Sequence, residues 1–283
     1  MADFTYAALK HEAVQLLANA GVENPNVDVR ILLETASGKT LAELIMSDQE
    51  IVPDSVYAHM QELLGARMAR EPIAYILGEK AFWSLDFKVN EHVLIPRPET
   101  EGLLERALEL MTDMPTPYIL DIGVGSGAIL ISLLDERKDA RGLGSDISEP
   151  ALKVAQENAV RNNVANRCSF VLSDYLSNID GKFDIVVSNP PYIDDDAMNA
   201  LMPDVDLYEP ELALSGGQDG LDAYRKIIAG LGNILKPGGY VVFEIGYDQK
   251  SDVCGLLEQA RLTNILCQQD LAGKDRIISA QFC

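Results

Sequence analysis

Cysteine is scarce in this chain: there are four, Cys168, Cys254, Cys267 and Cys283, and none stands in a C-x-x-C spacing. That excludes a disulfide or zinc framework and leaves reduced thiols, as expected of a cytoplasmic protein. Long apolar runs are missing as well. The run Ala128 to Leu134 is short and interrupted, far from the roughly 20 residues that span a bilayer, so no membrane is expected. The first residues, Met1-Ala2-Asp3-Phe4, show neither the basic cluster nor the apolar stretch of a secretion signal. His11 and His59 have no metal-ligating partner at i+4, and no metal site is expected. Positive charge is the largest deficit: 23 Lys and Arg face 44 Asp and Glu, a net charge of −21. Phosphate contacts supply most non-specific nucleic-acid affinity, and no basic run exists to make them, so direct contact with nucleic acid is not expected. The acidic surface serves solubility or salt tolerance, or steers a basic protein partner.

What is present is enough apolar material for real cores. The 283 residues are 47% hydrophobic, which allows one large or two ordinary domains. Residues 1–79 read as helices. Thr5 is the expected N-cap of the first, whose apolar stripe is Ala8, Val14, Leu16, Leu17 and Ala20, ending at Gly21. Further helices are expected over Asp28 to Ala36, Thr40 to Met46 and Asp54 to Arg70. Residues 80–96 alternate, with Phe82, Leu85, Phe87, Val89 and Val93 on one face and Asn90-Glu91 as the turn, so a β-hairpin is expected there as a linker. From residue 97 onward strands and helices alternate. Strands are expected at Tyr118 to Ile122, Gly142 to Ile147, Cys168 to Leu172, Phe183 to Ser188, Tyr240 to Ile245, Asn264 to Gln268 and Asp275 to Phe282. Helices over Ala128 to Leu134, Glu149 to Asn162 and Asp219 to Leu235 lie between them. This is an α/β pattern, a mostly parallel seven-stranded sheet covered on both faces.

The run Phe183 to Ser188 leads straight into Asn189-Pro190-Pro191-Tyr192. Two prolines cannot continue a ladder, so the strand ends there with a rigid backbone, and Pro191 fixes the direction of the Pro190 carbonyl. An Asn side chain, a fixed carbonyl and an aromatic ring suit a planar NH₂, offering two acceptors for its hydrogens and a ring face below. Such a nitrogen is a poor nucleophile because its lone pair is delocalised. Acceptors aimed at the charge that grows during alkyl transfer favour the transition state by roughly 3–4 kcal/mol each. Asn189, Pro190 and Tyr192 are therefore the candidate catalytic group, and with Pro191 they form the candidate substrate pocket. A plain turn with an Asn cap is the bland alternative.

The first expected strand runs into Asp121-Ile122-Gly123-Val124-Gly125-Ser126-Gly127, which opens a helix. Its glycines allow a tight turn and close approach to a ligand, beside the free N–H groups of the helix start. With Ala128 the same letters satisfy the dinucleotide fingerprint, so a dehydrogenase fits equally at this step. Asp146, nineteen residues past Gly127, suits ribose hydroxyls under either reading. Asp174 and Tyr175 end the next strand, where a carboxylate and a ring suit adenine. A hydride-transfer site has no use for two acceptors around an NH₂. A methyltransferase using S-adenosyl-L-methionine uses all four strand ends, with Asp121, Gly123, Val124, Gly125, Gly127, Asp146, Asp174, Tyr175 and Asn189 around the cofactor.

Across nearly its whole length the chain resembles the HemK/PrmC family of protein-(glutamine-N5) methyltransferases. The resemblance is carried by Arg70 to Gly78, Leu94-Ile95-Pro96-Arg97-Pro98-Glu99-Thr100-Glu101, Asp121 to Ala128, Asn189 to Tyr192, Glu209-Pro210, Asp219-Gly220-Leu221, Glu244-Ile245-Gly246 and Asp275-Arg276. It implies a helical domain at 1–79 that recognises a protein, a hairpin linker at 80–96, and a Rossmann-like class I methyltransferase domain at 97–283. It further implies methylation of the glutamine in the Gly-Gly-Gln loop of class I peptide chain release factors by a monomeric cytoplasmic enzyme, with Arg97, Glu101 and Glu209 beside the substrate. Val124 departs from the Thr usual in that loop, which is expected to weaken one hydrogen bond to the cofactor. A sister family that modifies a large-subunit ribosomal protein shares the Asn-Pro-Pro-Tyr group, as do enzymes that methylate adenine N6 in DNA. A protein that binds the cofactor without turnover is the non-enzymatic alternative.

Overall fold

The change of periodicity near residue 79 is a change of structural unit in the computed structural model, which describes residues 4–283. Met1, Ala2 and Asp3, from which the absence of a secretion signal was read, lie outside the described residues. One unit comprises residues 4–78 and 202–208, the other residues 79–201 and 209–283. Helices and strands are numbered in chain order.

The first unit is helical: α1 (Tyr6–Asn19), α2 (Pro25–Ser37), α3 (Leu41–Met46), α4 (Asp54–Met68), α5 (Ile73–Leu77) and, from the distant segment, α10 (Pro203–Asp206). Thr5 caps α1 by accepting from the Ala8 N–H at 3.2 Å. The buried face of α1 is Tyr6, Leu9, Ala13 and Leu17, at i, i+3 and i+4 spacing. The expected stripe was thus drawn about one position off: only Leu17 is shared, and Ala8 is exposed. Gly38, at φ 67°, ends α2, and Thr40 with Glu43 forms a capping box on α3. Leu9, Leu17, Leu32, Met60 and Leu64 fill the core. Asp204 of α10 pairs with Arg70 and, at 2.8 Å, with Arg67, which also holds Asp28 at 2.7 Å.

The second unit opens with a hairpin, β1 (Glu79–Phe82) and β2 (Leu85–Lys88). Its turn is at Trp83-Ser84, not at Asn90-Glu91. Trp83 takes φ +55°, a left-handed conformation that nothing in an aromatic residue announces. A turn of 3₁₀ helix, Pro98–Thr100, runs into α6 (Glu101–Leu110). Then follow β3 (Tyr118–Ile122), α7 (Ala128–Glu136), β4 (Arg141–Asp146), α8 (Glu149–Arg161), β5 (Cys168–Leu172), β6 (Phe183–Ser188), α9 (Asp195–Met198), α11 (Asp222–Ile234), β7 (Leu235–Glu244), α12 (Lys250–Gln259), β8 (Thr263–Gln269) and β9 (Asp275–Gln281). The seven strands β3 to β9 form one sheet in the order β5-β4-β3-β6-β7-β9-β8, parallel except for β9, which runs against both neighbours.

Side chains alternate across a strand, so each strand feeds two cores. Ile119 and Val187 pack with α6, α7 and α8, whereas Leu120 and Val186 pack with α11 and α12. Full burial of such side chains contributes about 1.5–3 kcal/mol each, and Phe183 and Phe243, both 0% exposed, are among the largest. The chain runs outward from β3 to β5 and returns to β6 on the other side of β3. That reversal opens a crevice at the carboxyl ends of β3 and β6, where open α/β sheets bind ligands.

Candidate active site

A cavity of about 600 Å³ occupies that crevice, wholly inside the unit of residues 79–201 and 209–283. Its lining includes Gly123, Val124 and Gly125 after β3, Asp146 after β4, Asp174 and Tyr175 after β5, and Asn189 and Pro191 after β6. Arg97 also lines it. Asp121, Gly127, Pro190, Tyr192, Glu101 and Glu209 stand behind this surface or beside it.

The glycine loop is built for close approach. Gly123, Gly125 and Gly127 have φ values of 74°, 52° and 85°, a conformation that glycine adopts without cost. A side chain on Gly127 would collide with Ile131 Cδ1, 2.6 Å from the position a Cβ would take. The loop is held from below: Gly123 and Val124 donate to the Ser145 carbonyl at 2.8 and 2.9 Å, and Gly125 donates to Asp146 Oδ2 at 2.9 Å. Asp146 Oδ1 accepts from the Ser148 N–H at 2.9 Å. Burial pushes the Asp146 carboxyl up, against the pull of these N–H groups. Val124 is 5% exposed and belongs both to the apolar core under α7 and α8 and to the cavity lining.

Asp121 lies at the base of the loop, fully buried. Its Oδ2 accepts from the Leu130 N–H at 3.2 Å, while its Oδ1 has no partner. A buried acceptor left unmatched costs about 1–3 kcal/mol, and burial pushes this carboxyl up to about 7. A cation brought to the loop would relieve both. Farther along, the Lys226 ammonium sits 5.0 Å from the centre of the Tyr175 ring, a cation–π arrangement that stiffens the ring edge of the cavity.

At the end of β6, the Ser188 hydroxyl donates to the Ile122 carbonyl at 2.6 Å and locks this strand to β3. The Asn189 Nδ2 donates to Thr100 Oγ1 at 3.4 Å. The Tyr192 carbonyl is held by Gln249 Nε2 at 2.9 Å, and burial pushes the Tyr192 phenol up to about 12, so it stays neutral. Glu101 faces the hairpin, accepting from the Trp83 N–H at 3.1 Å. Thr100, Ser148, Ser173 and Lys226 line the cavity without having been assigned a role from the sequence, although Thr100 belongs to the segment Leu94 to Glu101 that carries the resemblance. Thr100 reads locally as a helix start, and Lys226 reads as one more polar residue on the surface of α11.

A glycine loop with an unmatched buried anion, two carboxylates at neighbouring strand ends and a ring edge match the parts of S-adenosylmethionine: a cationic amino acid, a ribose and an adenine. Residues 8–78 match the model of the PrmC N-terminal domain and residues 103–204 that of the methyltransferase small domain. A release factor glutamine methyltransferase from Cereibacter sphaeroides is 44% identical over 269 residues, covering 95% of each chain. Another, from Caulobacter vibrioides, is 40% identical over 93% of this chain and 91% of its own. Among solved structures, a methyltransferase from Pyrococcus furiosus has a TM-score of 0.50 at 19% identity, covering 80% of this chain and 98% of its own. The hMettl16 catalytic domain, in complex with MAT2A 3'UTR hairpin 6, reaches 0.59 at 14% identity over 78% of this chain and 82% of its own, a likeness of fold alone. No helix among the described residues is long and apolar enough to cross a membrane. The chain belongs to the family of release factor glutamine methyltransferases and is an S-adenosylmethionine-dependent methyltransferase.

Proposed function

We propose that the enzyme methylates the side-chain amide nitrogen of the glutamine in the Gly-Gly-Gln loop of class I release factors, in the cytoplasm. The observation that carries this reading is Asn189 beside the glycine loop in one cavity, within a chain about 40% identical over nearly full length to enzymes named for that substrate. In this reading residues 1–79 recognise the protein substrate, 80–96 form the linker and 97–283 carry the chemistry.

Asp121 and the loop Gly123 to Gly127 take the amino-acid end of the cofactor, Asp146 the ribose, and Asp174 with Tyr175 the adenine. S-adenosylmethionine supplies a methyl carbon on a cationic sulfur, so an N–C bond forms as the C–S bond breaks and its electron pair returns to sulfur. Asn189 Oδ1 and the Pro190 carbonyl accept from the two glutamine N–H groups, holding the nitrogen lone pair toward the methyl group. As the amide nitrogen rehybridises and gains positive charge, both acceptors bind it more strongly, which lowers the barrier. The proton then leaves to water, since the alkylated nitrogen is strongly acidic, and no side-chain base is needed. Pro191 packs against the amide, with Tyr192 behind it. Arg97 lines the cavity and is held from behind by the buried Glu209.

The test is transfer of label from tritiated S-adenosylmethionine to a release factor, its Gln→Ala variant, a large-subunit ribosomal protein and DNA. Label confined to the release factor with its glutamine is expected. Label that survives the Gln→Ala change, or that goes to ribosomal protein or DNA instead, contradicts the reading.

A further inference from the structure

The turn before α6 and the ends of β6 and β7 are joined by a chain of three polar side chains. Glu244, the last residue of β7, is 2% exposed, and its Oε2 accepts a 2.6 Å hydrogen bond from the Thr100 hydroxyl. Thr100, also buried, accepts in turn from Asn189 Nδ2 at 3.4 Å. A hydroxyl has one hydrogen, and the short bond to a carboxylate takes it. Only lone pairs then face Asn189, so its amide must present the NH₂ end to Thr100. Oxygen and nitrogen diverge from the trigonal carbon of a carboxamide, so with Nδ2 on Thr100 the Oδ1 is the atom left as acceptor for the cavity that Asn189 lines. We propose that Glu244, acting through Thr100, is a positioning residue that fixes the orientation of the Asn189 amide for methyl transfer; the inference rests on the substrate reading above.

The direction of the chain depends on the charge of Glu244. Burial pushes its carboxyl up to about 7, against the bond from Thr100 and the nearby Arg276. Of the remaining neighbours, Glu99 pushes it further up and Arg97 pulls it down. The phenols of Tyr192 and Tyr224 are themselves raised by burial and stay neutral. Once protonated, Glu244 can donate to Thr100, whose own hydrogen is then free to turn toward Asn189. The amide then gains by swinging its oxygen toward Thr100, and the NH₂ end faces the substrate.

Two readouts separate failure of this role from failure of the substrate reading. The first is kcat, KM and cofactor Kd on an intact release factor, for the parent, Thr100→Val, Thr100→Ser and Glu244→Gln, with thermal melts to verify folding. Thr100→Val should lower kcat roughly ten- to a hundredfold with KM and cofactor Kd nearly unchanged. Thr100→Ser should recover most of that loss, and Glu244→Gln should flatten the fall of kcat below about pH 7. The second is the Asn189 side-chain amide resonance in ¹⁵N-labelled enzyme, which needs no substrate. It should shift as Glu244 titrates, and Thr100→Val should remove the shift. Parental kcat and acid limb in Thr100→Val, or an Asn189 resonance indifferent to pH and to Thr100→Val, overturns the role whichever substrate the enzyme takes.

Discussion

Arg97 and Glu209, 112 residues apart in the chain, form an ion pair in which the guanidinium side chain is 37% exposed and the carboxylate side chain 1%. The second carboxylate oxygen accepts from the Ile95 N–H at 3.2 Å. Two residues expected separately at the substrate are thus partners of one another, and together they fix the segment leading to Thr100.

The pair is lopsided, and its variants should be too. Arg97→Ala strands a buried carboxylate, a situation that costs about 3–5 kcal/mol. Glu209→Gln keeps an acceptor for Ile95 and leaves Arg97 reaching water, so about 1–2 kcal/mol is expected. Urea unfolding of the two variants measures this. Equal losses, or a larger loss in Glu209→Gln, would contradict the burial argument.

Asn189→Ala removes an acceptor that works chiefly in the transition state. Turnover should fall about a hundred- to a thousandfold, while cofactor affinity by calorimetry stays within about twofold. A large loss of cofactor binding would show that Asn189 holds the cofactor and not the reacting amide.

Asp121 predicts a pH dependence of cofactor binding. Burial is the main reason its carboxyl rises to about 7, with Asp146 adding to the rise and the Leu130 N–H opposing it. A cationic ligand favours the ionised carboxylate. Below about pH 7, binding must therefore expel a proton, and affinity should weaken by up to tenfold per unit as pH falls. Above that point the carboxylate is already ionised and the slope should vanish. Calorimetry of the parent and of Asp121→Asn between pH 6 and 8 tests it: the variant should bind more weakly at pH 8 and show no such slope.

The elements that were legible in the sequence are those with a strong period and a hard stop. β3, β5 and β6 occupy the expected residues because each is a largely apolar run closed by Gly, Ser or Asn-Pro. α5 was not anticipated: five residues between Pro72 and Gly78 are too few to show a helical period. The hairpin turn was misplaced because Trp83, with no Gly or Asn beside it, takes the positive φ. Within the site, the glycine loop and the strand-end residues stood out by residue type and spacing. Thr100 did not, because its meaning lies in Glu244, 144 residues away. The same holds for Arg70 and Asp204, 134 residues apart: pairing over such a distance leaves no local trace.

Gly220 offers a test of how the Asn-Pro-Pro-Tyr turn is held from behind. Its φ is +71°, and a Cβ there would run into the Tyr192 carbonyl oxygen. Gln249 bonds that same carbonyl at 2.9 Å and the Gly220 carbonyl at 3.1 Å, while its Oε1 accepts from the Gly246 N–H at 2.9 Å. The three backbones are thereby fastened through one amide, and none of its partners is a cavity-lining residue. Gly220→Ala must strain its own backbone and push Tyr192 off this support, and a displacement near 1 Å is enough to cost about a hundredfold in rate. Gly220→Ala should therefore lose turnover far more than cofactor affinity, and Gln249→Ala should do the same to a smaller degree. Parental turnover in both variants would mean that the prolines alone set the turn.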